Sequence, residues 1–207
     1  MLDELVVLRD RTIYRVADIP APAVYYVVDH KAEGVLVNTP PFEEALLQEL
    51  QAVAPLRYIF LPSRRGARDL DRWRETSGAE SLASEPEASS IDGKIDLTLD
   101  SKRNKLTRTI DFLPMSGVTE GTCAMRLKNK PGALFFGPAL EPGADGWPTL
   151  VPHADDYSAE NRLFGSLGVQ DLVFDYAFTD VFVTGRTRFG PGAGPAVKQA
   201  LERALEQ

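Results

Sequence analysis

Cysteine is almost missing from this chain, with Cys123 the only one in 207 residues. A single thiol excludes an intramolecular disulfide and a thiolate zinc cluster. Its place in the apolar run 122–127 marks it as a small buried residue rather than a reactive nucleophile. Histidine is nearly as scarce: only His30 and His153 occur, and His30 falls in a polar turn, where a solvated residue is expected. Basic residues are also in deficit, with 23 Lys+Arg against 30 Asp+Glu and a net charge of −7. That balance argues against nucleic acid or an anionic membrane as partner, because phosphate affinity comes mainly from Lys and Arg. No run approaches the ~20 apolar residues of a membrane span. Residues 1–4 (Met-Leu-Asp-Glu) have neither the basic nor the apolar region of a secretion signal. The expected location is the cytoplasm. The remaining composition, 43% hydrophobic and 26% charged, is that of a globular chain read as one domain over 1–207.

Short β-prone runs come first, at 5–8, 12–16, 23–28 and 34–37. Thr39, with prolines and acids behind it, reads as a helix cap, and apolar spacing near 3.6 continues through Leu46, Leu50 and Val53. Pro55 stops that helix, and a strand over 56–61 leads to a second helix over about 68–76, ending near Gly78. Strand–helix alternation of this kind predicts right-handed crossovers in a sheet covered by helices. Residues 84–92 read as a surface loop. The segments 95–99 and 106–113 read as half-buried antiparallel strands, with a charged tip at 101–105. A hairpin pairs 122–127 with 133–136 around Asn129-Lys130-Pro131-Gly132. A long Gly/Pro-rich loop follows, 138–158, then a helix capped by Ser158 and running to Leu167. Strands are expected at 171–174 and 181–183. A last amphipathic helix carries Val197, Ala200, Leu201, Ala204 and Leu205. Trp73 and Trp147 are expected in packing or at a loop edge.

The stretch 60–73, Phe-Leu-Pro-Ser-Arg-Arg-Gly-Ala-Arg-Asp-Leu-Asp-Arg-Trp, joins strand to helix, the place where many α/β enzymes hold their chemistry. Four other segments stand in a recognisable order around it: 35–39 (Val-Leu-Val-Asn-Thr), 116–122 (Ser-Gly-Val-Thr-Glu-Gly-Thr), 135–138 (Phe-Phe-Gly-Pro) and 184–186 (Thr-Gly-Arg). Together they resemble the metallo-β-lactamase superfamily over about 12–205. The resemblance implies an α/β (α+β) fold, a four-layer αββα sandwich of two mixed sheets flanked by helices. In that family the turn reads Thr-His-x-His-x-Asp-His. Here its four ligand positions fall on Ser63, Arg65, Ala67 and Arg68, the later histidine on Val118, the bridging aspartate on Pro138 and the last histidine on Arg186.

Zinc and iron take imidazole, thiolate or carboxylate donors, whereas a guanidinium stays protonated and has no lone pair. The resemblance therefore implies a member without a metal site: no cofactor, no metal ligand and no catalytic residue is assigned. In the emptied cavity Ser63, Arg65, Arg68 and Arg186 would offer fixed positive charge and a hydroxyl to a small anion or acidic ligand. The plainer expectation is that Arg64, Arg65, Arg68, Arg72 and Arg74 pair with Asp69, Asp71 and Glu75 along a helix face. The alternative function is a hydrolase of an ester, lactone, thioester or phosphoester, rewired to a metal-free or displaced-metal site at His153, Asp155 and Asp156. Two other features point to no site: Ser63 lacks the Gly-x-Ser-x-Gly setting of a nucleophile, and the glycines of 190–194 read as a flexible turn. Expected partners are a small anionic ligand, a protein, or a second copy of the chain.

Overall fold

A computed structural model describes residues 1–205, and the chain divides into two compact units, 1–103 and 104 onward. In the first, β1 (Leu2–Val7), β2 (Arg11–Val16), β3 (Tyr25–Asp29) and β4 (Glu33–Val37) run antiparallel in sequence order. Helix α1 (Glu44–Val53) then crosses over to β5 (Leu56–Phe60), parallel to β4. Helix α2 (Leu70–Ser77) leads to β6 (Glu80–Ser84), and α3 (Glu85–Ala88) to β7 (Leu97–Leu99), both strands again parallel to their predecessors. The result is one mixed seven-stranded sheet in the order β1 to β7.

The core of this unit lies where α1 and α2 cover the sheet. Tyr26, Leu36, Leu50, Ile59 and Trp73 are each 0% exposed. Complete burial of such side chains is worth about 1.5–3 kcal/mol apiece. Their polar ends are satisfied as well, with Tyr26 Oη donating to the Ala54 carbonyl at 2.6 Å and Trp73 Nε1 to the Pro40 carbonyl at 2.8 Å. Helix α2 ends as its sequence predicts: Gly78 takes the left-handed conformation (φ 74°) and its N–H closes on the Arg74 carbonyl.

The second unit holds β8 (Ile110–Pro114), β9 (Cys123–Leu127) and β10 (Ala133–Phe135), antiparallel in turn. A small hairpin, β11 (Glu141–Pro142) with β12 (Pro148–Thr149), and α4 (Ala159–Leu167) follow. Strand β13 (Tyr176–Phe178) returns parallel to β10, giving the order β13-β10-β9-β8, and α5 (Ala193–Leu205) ends the unit. Leu134, Phe136, Leu140 and Ala177 form its core with Val197 and Leu201 of α5. Of the expected apolar stripe on α5, Val197, Ala200 and Leu201 are buried, and the side chain of Leu205 lies outside the described residues.

Four expectations need correction. The strand within 95–99 is β7, which pairs parallel with β6 instead of antiparallel. Helix α1 starts at Glu44 with Glu43 before it, not at a Thr39 cap, because the Thr39 hydroxyl is engaged elsewhere. The supposed surface loop 84–92 contains α3, and its Glu87 is fully buried. Strands at 171–174 and 181–183 are absent, and the pairing partner of β10 is 176–178 instead. Among the described residues no helix is long and apolar enough to cross a membrane.

Candidate functional site

Strands β4 and β5 are parallel and end side by side, Val37 opposite Phe60. The chain leaving β4 (Asn38-Thr39) therefore lies against the chain leaving β5 (61–68), at the carboxyl ends of parallel strands where open α/β sheets place ligands. Asn38 sits in the left-handed region at φ 63°, donates its N–H to the Phe60 carbonyl at 2.9 Å, and its buried amide donates to the Ala23 carbonyl at 2.8 Å. Thr39 closes the other side. Its backbone N–H donates to the Gly66 carbonyl at 2.8 Å, and its Oγ1 accepts from the Arg68 N–H at 2.8 Å. A 3-10 turn over Arg64–Gly66 follows, started by the Ser63 hydroxyl accepting from the Arg65 N–H. Glu87, 0% exposed, accepts from the Arg64 N–H at 2.6 Å. This buried carboxylate stands in the Ser84-x-x-Glu87 spacing of a helix start, a signal the surface-loop reading overlooked.

The expected ligand-binding side chains of this turn have different fates. Ser63 is buried, and its hydroxyl accepts the Arg65 N–H. Arg65 is exposed, and Arg68 is partly buried. The Nη2 group of Arg68 donates to the carbonyls of Pro20 and Ala21, tying the β2–β3 loop to the turn. Guanidinium has five N–H donors in a fixed fork, and Nη2 is the group of Arg68 that makes these two bonds. Of the expected helix-face pairs Arg74–Asp71 forms, at 3.1 Å, while the shorter bonds of Arg74, 2.7 and 2.8 Å, go to Asp96 outside the helix. The guanidinium of Arg72 lies 4.5 Å from the centroid of the Phe42 ring instead.

In the second unit Val118 is buried in a turn locked by hydroxyls: the Thr119 N–H donates to Thr122 Oγ1 at 2.9 Å, and the two hydroxyl oxygens are 2.8 Å apart. Pro138 is buried after β10, and Arg186 is exposed on the loop 183–188. His153 and Asp156 meet through the backbone: the His153 main-chain N–H donates to Asp156 Oδ2 at 2.9 Å. Asp155 lies exposed beside them. Two residues that sequence reasoning missed complete this cluster. His153 Nε2 is 2.6 Å from Glu141 Oε1, and Arg162 Nη1 is 2.7 Å from Asp156 Oδ2. Nothing in the spacing points to either. An arginine in an amphipathic helix reads as solvated, yet Arg162 is 2% exposed. Cys123 is buried, and desolvation pushes its thiol up to about 12.

No family model matches the sequence, and no curated protein matches it. Solved structures do. The chain is similar to a metallo-beta-lactamase from Pontibacter korlensis at 15% identity, with a TM-score of 0.71 and coverage of 100% of this chain and 98% of that one. The DIM-1 metallo-beta-lactamase gives 14% identity, a TM-score of 0.71 and 98% coverage of each chain. BJP-1, a subclass B3 enzyme of Bradyrhizobium japonicum, gives 13% identity, a TM-score of 0.65 and coverage of 94% and 89%. The chain therefore has the metallo-β-lactamase fold, with two mixed sheets and flanking helices. Among the described residues no three His, Cys, Asp or Glu form a group that could hold a metal ion.

Proposed function

We propose that this chain is a non-catalytic protein of metallo-β-lactamase fold that binds a small anion or the acidic group of a partner. The observation that carries this reading is the turn at 63–68. It keeps a full set of backbone locks through Asn38, Thr39, Ser63 and Gly66, while two of its aligned positions carry arginine. Fixed guanidinium groups attract carboxylate or phosphate and repel a metal cation. In the first unit the recognition residues are Arg65 and Arg68 on the Ser63 turn. In the second it is Arg186.

Thermal denaturation against inorganic phosphate and acetate tests the reading, with elemental analysis of the same preparation. Ligand at ten times its dissociation constant stabilises by about 1.4 kcal/mol, so phosphate is expected to raise the melting temperature of the wild type. Arg65→Gln and Arg68→Gln are expected to reduce the rise. A stoichiometric transition metal, or hydrolysis stimulated by added zinc, would overturn the proposal.

One observation favours a second reading, a metal-free hydrolase. The Glu141 carboxylate sits on His153 Nε2 and leaves the other ring nitrogen to act as a base. Asp156 is bound by Arg162 and the His153 N–H, so its part here is to hold the loop. Ester, lactone, thioester and phosphoester turnover that disappears in His153→Ala and Glu141→Gln would establish it.

A further inference from the structure

Arg162 is charged and stands among the largest fully buried side chains. It stands in the first turn of α4, its N–H bonded to the carbonyl of the Ser158 cap at 3.0 Å, and its side chain turns inward. Nη1 donates to the Val151 carbonyl at 2.6 Å and to Asp156 Oδ2 at 2.7 Å. Nε donates to the Ala139 carbonyl at 3.1 Å and Nη2 to the Pro138 carbonyl at 3.2 Å, with Glu141 Oε1 at 3.8 Å from Nη2. Removing a guanidinium from water costs several kcal/mol unless its donors are nearly all met, and here they are. The stem is equally confined: a Cβ on Gly117 (φ 148°) would lie 2.3 Å from Arg162 Cβ. Tyr157 and Ser158, just before the helix, donate their N–H groups to the carbonyls of Val118 and Gly117. One side chain thus joins α4 to both arms of the 138–156 segment and packs against the 117–118 turn.

That segment carries the β11–β12 hairpin, and the hairpin carries the arginine loop. A Cβ on Gly146 (φ 83°) would fall 2.2 Å from the Arg186 carbonyl oxygen, and the Gly146 carbonyl accepts from the Arg188 N–H at 2.8 Å. The Arg188 guanidinium lies over the Trp147 ring at 5.9 Å. Arg186 and Arg188 have no carboxylate partner among the described residues, in a chain with 30 Asp+Glu.

We propose that Arg162 is a positioning residue for anion recognition: it fixes the hairpin on which Arg186 and Arg188 are seated, and those two arginines take a phosphate or carboxylate. This rests on the anion-binding reading above and assigns its second-unit part. The test combines calorimetric titration of inorganic phosphate with hydrogen exchange of the full chain. Arg186→Gln/Arg188→Gln should weaken phosphate binding about tenfold, the loss of charge-assisted contacts worth ~1.4 kcal/mol, with exchange unchanged. Arg162→Met should weaken binding and speed exchange in 138–156 and 183–189, while 25–37 keeps its protection. Gly146→Ala strains the hairpin turn and the seat of the loop, at a position that does not contact Arg162. It should weaken binding with protection at 138–141 retained, so the inference does not depend on Arg162→Met folding well. Binding that survives Arg162→Met or Gly146→Ala, or the Arg186/Arg188 double change, sinks this assignment alone. Absence of phosphate uptake by the wild type sinks the anion reading and the assignment together.

Discussion

Gly66→Ala is a sharp test of whether the 63–68 turn is held by packing against Asn38. The added Cβ would lie 1.8 Å from Asn38 Oδ1 and 2.6 Å from its Cγ, far inside any real contact. Gly66 does not occupy the left-handed region, so an alanine backbone is tolerated there. On entropy alone the change would stabilise by about 0.4–1 kcal/mol. The clash opposes this and outweighs it. Asn38 is 0% exposed, and rotating it away breaks its 2.8 Å bond to the Ala23 carbonyl. A buried donor or acceptor left without a partner costs about 1–3 kcal/mol each. If the turn moves instead, the 2.8 Å bond from the Thr39 N–H to the Gly66 carbonyl is lost. Either route gives a net loss of about 2–4 kcal/mol, or a melting temperature lower by about 5–15 °C for a chain of this length. Circular dichroism melts of wild type, Gly66→Ala and Gly168→Ala measure it. Gly168 is right-handed at φ −59°, and an added Cβ meets only the Gly165 carbonyl oxygen at 3.4 Å, so it is the neutral control. A Gly66→Ala melt within about 2 °C of wild type, less than 1 kcal/mol, would refute the packing lock.

Two further outcomes are expected. The Arg74 guanidinium, with Lys94 and Ser81 adding hydrogen bonds, holds the Asp96 carboxyl well below the usual carboxylate range against the opposing effect of burial. A depressed folded-state value gives stability that is complete above the unfolded pKa of about 3.9 and is lost as pH falls through the folded one. The gap in denaturation midpoint between wild type and Asp96→Asn should therefore be flat from about pH 5 to 8 and narrow below about pH 4. A gap independent of pH contradicts it. Burial raises the Cys123 thiol to about 12, so a disulfide reagent at about pH 8 should leave the native chain unlabelled and react only after denaturation. Rapid stoichiometric labelling of the native chain would show that the site opens.

The first unit was largely legible because its signals are local. Apolar runs of strand length, a helical period broken at Pro55 and a glycine after Ser77 each specify their own element, and all three are realised. Thr39 misleads for the converse reason. A hydroxyl ahead of prolines looks like a cap, but the partners it found, Gly66 and Arg68, are 27 and 29 residues away. The missed strand at 176–178 fails in the same way. Both 171–174 and 181–183 are as β-prone as the segment between them, and only pairing with Ala133–Phe135 decides which one joins the sheet. The Arg162 cluster depends on contacts 6 to 24 residues distant with no periodicity, so no sequence pattern marks it.

The hydroxyls and glycines that made the sequence look like a hydrolase have work that no ligand is needed to explain. Ser63 starts a turn, Thr39 receives the Arg68 N–H, Gly66 makes room for Asn38, and Thr119 and Thr122 lock the loop of Val118. Each satisfies a backbone group or a close approach that would be costly to abandon. Folding alone selects them, whatever stands at Arg65, Arg68 or Arg186. Side chains that point away from those locks are under no such constraint. In this fold, then, the turn-forming residues report the backbone, and only the side chains between them report the function. Here those side chains are cationic, which is why an acidic ligand is the expectation that follows from them.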